Sequence, residues 1–89
     1  MDSSVTSSEP IAAQVEVTDV ELVVGLVDGR RVAVPLVWFP RLLHASTEQR
    51  AVFELIGDGE GIHWPDVDED LSVRGLVLGS PSAAYRKGT

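Results

Sequence analysis

The sequence contains no cysteine, which removes disulfide frameworks, thiolate nucleophiles and zinc ribbons together and leaves packing as the source of stability. Basic residues are scarce as well: 7 Lys and Arg stand against 14 Asp and Glu, for a formal charge of -7. Binding a phosphate backbone needs clustered cations, and inside the central region only Arg30 and Arg31 adjoin, so direct binding to nucleic acid is not expected. An acidic chain is better matched to a basic protein surface, where charge accelerates encounter. Long apolar runs are missing too. Stretches such as "LVVGLV" at 22–27 fall far short of the roughly 20 residues that span a bilayer. The start of the chain also shows no basic-then-apolar leader pattern, so the expected location is the cytoplasm, away from membranes.

What is present fits one small domain. A chain of 89 residues buries about 60% of its unfolded surface, enough for one modest core and little room for an enclosed active site. Its 44% apolar and 24% charged residues are those of an ordinary globular protein. The serine-rich "MDSSVTSSEP" and the "SPSAAYRKGT" at the other end read as disordered tails over 1–10 and 80–89, leaving a folded unit at 11–79.

Within that unit, Val15 and Val17 alternate with Gln14, Glu16 and Thr18, the period of a half-buried edge strand. "ELVVGLV" and "RRVAVPL" flank Asp28 and Gly29, which predicts a β-hairpin closed by a two-residue type I′ turn. That turn sets Val27 against Arg30, Gly25 against Val32 and Val23 against Val34. It assigns Val23, Val32, Val34 and Leu36 to the main core, and Leu22, Val24 and Leu26 to the opposite face with Arg31, Ala33 and Pro35. Pro35 lacks an amide donor, so the third strand ends there or needs no bond at that position.

Further on, Pro40 suits a first helical turn, and "STEQ" at 46–49 forms a capping box that starts a second short helix. The β-branched and aromatic residues at 52–56 favour a strand, "GDGEG" is a turn, and "IHW" is a short strand. A last weak helix runs from a Ser72 cap to a Gly79 stop. The expected fold class is therefore α+β: a small antiparallel sheet with a central β-hairpin and two or three short helices.

The densest chemistry lies in "GEGIHWPDVDEDLS" at 59–72. His63, Asp66, Asp68 and Asp70 offer nitrogen and oxygen ligands for a metal or a small molecule, yet no EF-hand pattern and no second nearby histidine accompany them. Helix capping explains more: Asp68, Asp70 and Ser72 precede the last helix, where side-chain oxygens meet open backbone donors. Glu69 is expected to be a solvated acid. "GDGEG" lacks the lysine and helix of a phosphate loop, and His44 with Ser46 does not make a triad. No catalytic residue, cofactor or metal ligand is assigned. Trp38, Phe39 and Trp64 belong by default in the core, but "WFPRLL" joins Trp38 to Arg41, residue types enriched at binding hot spots.

The motifs taken together resemble a known bacterial family. Asp28 to Arg30 ("DGR"), Val34 to Leu42 ("VPLVWFPRL"), Glu48 to Arg50 ("EQR") and "IHWPDVDEDLSVRGLVLG" at 62–79 are similar to the family catalogued as domain of unknown function 2442. The resemblance implies a small α+β domain with an antiparallel sheet and no established activity, found alone or fused to a helix-turn-helix domain. It also implies a gene often placed beside another short one, which looks like a toxin and antitoxin arrangement. The function expected is thus a noncatalytic protein-interaction module, antitoxin-like by that analogy. The competing reading is a small-molecule or metal-binding domain at His63, Asp66, Asp68 and Asp70. Because short helices cover only one face of a small sheet, Leu22, Val24 and Leu26 are expected as an exposed patch, closed by a homodimer or a cognate protein; Trp38 and Arg41 complete the candidate interaction residues.

Overall fold

The computed structural model describes residues 9–82, so most of both expected tails lies outside the described residues. Two antiparallel three-stranded sheets are formed. The first holds β1 (Ala12–Val17), β2 (Glu21–Leu26) and β3 (Arg31–Pro35) in that order. A 3-10 turn at Leu36–Trp38, α1 (Pro40–Leu43) and α2 (Thr47–Ala51) lead to the second sheet. That sheet holds β4 (Glu54–Ile56), β5 (Gly61–Trp64) and β6 (Glu69–Ser72), and α3 (Val73–Leu78) follows. The α+β class is as the sequence implies, with two sheets where one was expected.

The hairpin between β2 and β3 is present, but its turn is one residue longer than expected. Leu26 N-H donates to Arg30 O at 2.8 Å and Gly29 N-H to Leu26 O at 3.0 Å. Of the turn residues only Gly29 has positive φ, at 97°, so a type I turn followed by a left-handed glycine bulge replaces type I′. The register moves by one: Leu22 faces Val34, Val24 faces Val32 and Val23 faces Ala33. A one-residue slip turns every side chain over, and Leu22, Val24 and Leu26 are accordingly 0%, 1% and 5% exposed. The expected interaction patch is the core.

Local chemistry closes the remaining elements. Pro35 ends β3, and Leu36 N-H turns back to Val20 O at 2.9 Å. The capping box forms as read, with Ser46 Oγ accepting from Gln49 N-H at 3.0 Å and Gln49 Oε1 accepting from Ser46 N-H at 2.9 Å. Ser72 Oγ accepts from Gly75 N-H at 3.1 Å. At the other end of α3, Gly79 at φ 82° donates to Leu76 O while Ser80 donates to Gly75 O, the paired bonds of a Schellman stop.

Asp68 and Asp70 are not caps, because the acidic run contains a strand. Trp64 faces Glu69, His63 faces Asp70 and Ile62 faces Leu71, and Asp68 occupies the β5–β6 turn at φ 55°. The core lies between the sheets. Leu22, Val24 and Val34 of the first sheet cluster with Leu36, Phe39 and Leu42 and with Ile62 and Trp64 of the second, and α3 adds Val73 and Leu76.

Candidate interaction site

Strand register in the second sheet sets Glu54, His63 and Asp70 in one row across its outer face, since directly opposed residues share a face. His63 Nδ1 is hydrogen-bonded to Asp70 Oδ1. The Asp70 carboxylate raises the imidazole above its ordinary 6.5; burial opposes it, and Glu54 and Asp68 add through space. Asp68 itself is 92% exposed in its side chain, and Asp66 is exposed in the same turn. Among the described residues, no three His, Asp or Glu are gathered so as to hold a metal ion. Of the four residues expected as a ligand set, the structure joins His63 to Asp70 and does not assemble the rest, because two strands bring only one opposed pair together at a time.

Glu69 is the correction in this segment: it is 8% exposed, not solvated. Lying opposite Trp64, it points to the inner side of the sheet, where burial raises its carboxyl above the usual 4.5 and Arg41 opposes that rise. Arg41 Nη1 stands 3.9 Å from Glu69 Oε1 and donates to Asp68 O at 2.6 Å. The guanidinium singled out as a hot spot is thus committed to clamping the β5–β6 turn. Trp38 is half-buried and meets Phe39 edge-on, with ring centroids 6.4 Å apart. Its carbonyl accepts from Ser82 N-H at 3.2 Å.

Two features escape sequence reading. Arg50, 12% exposed in its side chain, donates from Nε to Leu42 O and from Nη2 to Leu43 O, and so closes the C-terminal end of α1. A groove of about 330 Å³ runs between β1, at Val15, Glu16 and Val17, and a far wall that includes Thr47, Ala51 and Phe53. Strand order decides that β1 is an edge, and pairing between distant segments leaves no local signal. Beside Phe53, three apolar residues stay open to solvent: Val52 at 48%, Leu55 at 39% and Ile56 at 44% exposure.

The architecture recurs in a crystal structure of a protein of unknown function from Rhodospirillum rubrum. It is 33% identical, with a TM-score of 0.72 over 86% of this chain and 95% of that one. No curated protein matches the sequence. The profile of the family described as protein of unknown function DUF2442 matches residues 12–82, nearly the whole described structure, and this chain belongs to that family.

Proposed function

We propose that this domain is a noncatalytic protein-interaction module. The observation that carries the reading is the set of apolar side chains left open around β4, Val52, Leu55 and Ile56, within a short segment that also bears Glu54, Asp58 and Glu60. Apolar side chains rimmed by charge favour a protein partner, and a net charge of -7 suits a basic one. The finer reading, a role like that of an antitoxin, rests on the family resemblance alone.

A pull-down with the full chain tests the module. A partner recovered in near-stoichiometric amount, and lost from the double variant Leu55→Ser, Ile56→Ser while that variant stays folded, is the expected result. Equal recovery by both proteins removes the β4 surface from the reading. The antitoxin role is tested on the partner so recovered: expressed alone it should arrest growth, and coexpression should relieve the arrest.

A further inference from the structure

The two edges of the first sheet differ in how they are protected. Lys, Arg and Pro on an edge discourage another strand from adding. The β3 edge carries Arg31 at one end and Pro35 at the other; α3 packs against β3 and α2 against β1, so the edges differ in their residues and not in helix cover. Along Ala12–Val17, β1 carries neither proline nor a basic residue, and among the described residues it pairs only with β2.

Backbone directions follow from the bonds already made. Thr18 N-H donates to Glu21 O at 2.9 Å, and the ladder continues through Glu16 facing Val23 and Gln14 facing Gly25. Antiparallel pairing alternates, so Thr18, Glu16 and Gln14 direct their amides and carbonyls toward β2, while Val15 and Val17 turn theirs the other way. The groove of about 330 Å³ lies on that side. Val15, Glu16 and Val17 all line it, although successive side chains point to opposite faces, as expected of a groove that follows the backbone edge.

Resting on the interaction-module reading, we propose that the β1 edge takes up an extended segment of a partner protein as a fourth strand, one that alternates apolar with basic side chains. Addition to an open edge draws affinity from main-chain bonds and specificity from alternate side chains. Residues of the incoming strand opposite Val15 and Val17 share their face, where Phe53 and Ala51 form the far wall, and they are apolar. The residue between them shares the face of Glu16 and is a lysine or arginine. Asp19 and Arg50, 3.3 Å apart, also line the groove and offset each other's charge, so Glu16 carries the preference for a basic residue.

The test uses the isotope-labelled full chain and two capped hexapeptide probes, one alternating Lys with Val and the other Glu with Val. The Lys/Val peptide should shift the amides of Val15, Val17 and Phe53 and slow amide exchange at Val15 and Val17 by at least roughly tenfold. Glu16→Lys should weaken that peptide by roughly tenfold and reverse the preference toward Glu/Val. Val15→Pro deletes an outward donor and leaves the bonds to β2 intact, so it should abolish binding in a folded protein; if that variant unfolds, Glu16→Lys carries the test. Shifts confined to Ile56 and Gly61 would overturn the β1 site and leave the module reading intact. Failure of both peptides overturns this inference, and the pull-down then decides the module reading separately. Slow exchange at Val15 and Val17 without peptide, with no shifts on its addition, would assign the edge to a segment of this chain or, if concentration-dependent, to a second copy.

Discussion

At the scale of single residues, the titrating groups make stability depend on pH in a direction that can be worked out. His63 is raised above 6.5 by its bond to Asp70. A raised folded value means that the pair stabilises fully below about 6.5 and that the contribution is lost as pH climbs through the higher folded value. Glu69 is raised above 4.5 by burial, so its protonated form favours the fold below 4.5 and this advantage is lost as pH rises through its own folded value. Asp28 runs the other way: the Arg30 amide lowers it below 3.8, and its contribution is present above 3.8 and lost on acidification through the lower folded value. The denaturation midpoint should therefore fall as pH rises from about 6.5 through the higher folded value of His63, and Asp70→Asn should flatten that fall; an unchanged slope in the variant would show that the pair does not set it. Glu69→Gln removes a buried charge and retains hydrogen-bonding capacity. Its midpoint at neutral pH should equal or exceed the parent's, and a loss above about 1 kcal/mol would mean that the attraction of Arg41 outweighs burial.

At the scale of elements, the hairpin turn depends on one backbone conformation. Gly29 sits at φ 97°, and a β-branched residue resists that region, so Gly29→Val should cost on the order of 1 to 2 kcal/mol in chemical denaturation. No atom lies within 4 Å of where its Cβ would be, so the cost is one of conformation and not of collision. An unchanged midpoint would mean that the turn rearranges. Elements closed by their own neighbours were legible in the sequence: the Ser46 capping box and the α3 helix between Ser72 and Gly79 stand as read. Register was not, because Asp28 and Gly29 fit both a two-residue turn and a three-residue turn with a bulge, and the choice decides which face of β2 is buried. β6 stayed hidden for a related reason. Its inward positions are Glu69 and Leu71, opposite Trp64 and Ile62, and an acid where alternation calls for an apolar residue erases the period that identifies a strand. For the candidate site, sequence singled out His63 and Asp70 but not that they pair, which follows only once β6 lies beside β5.

At the scale of the whole molecule, the helical segment between the two sheets needs a connection to the second sheet beyond apolar contact. Arg50 supplies it from the end of α2. Its Nε and Nη2 reach Leu42 O at 3.0 Å and Leu43 O at 2.8 Å, and its own carbonyl accepts from the indole Nε1 of Trp64 at 3.1 Å. One residue thereby fixes α1, α2 and the central strand of the second sheet relative to one another, directly above a core to which the first sheet contributes Leu22 and Val24. The guanidinium also stands 3.3 Å from Asp19 on the turn after β1, which suggests an ion pair as the reason for its placement. Magnitudes argue otherwise. Asp19 is 96% exposed in its side chain, and an exposed pair contributes about 0 to 1 kcal/mol, whereas hydrogen bonds from a charged donor to carbonyls contribute about 1.5 to 3 kcal/mol each. The planar fork is the feature that matters, since an ammonium on a flexible stem cannot hold two carbonyls at fixed separation. Arg50→Lys should therefore destabilise the domain by about 1 to 3 kcal/mol with its charge retained, while Asp19→Ala should stay within about 0.5 kcal/mol of the parent. Denaturant midpoints of both variants, with tryptophan fluorescence as the probe, read the comparison directly. Equal losses would transfer the role from the carbonyl contacts to the ion pair; a silent Arg50→Lys would mean that apolar packing alone holds the helical segment against the second sheet.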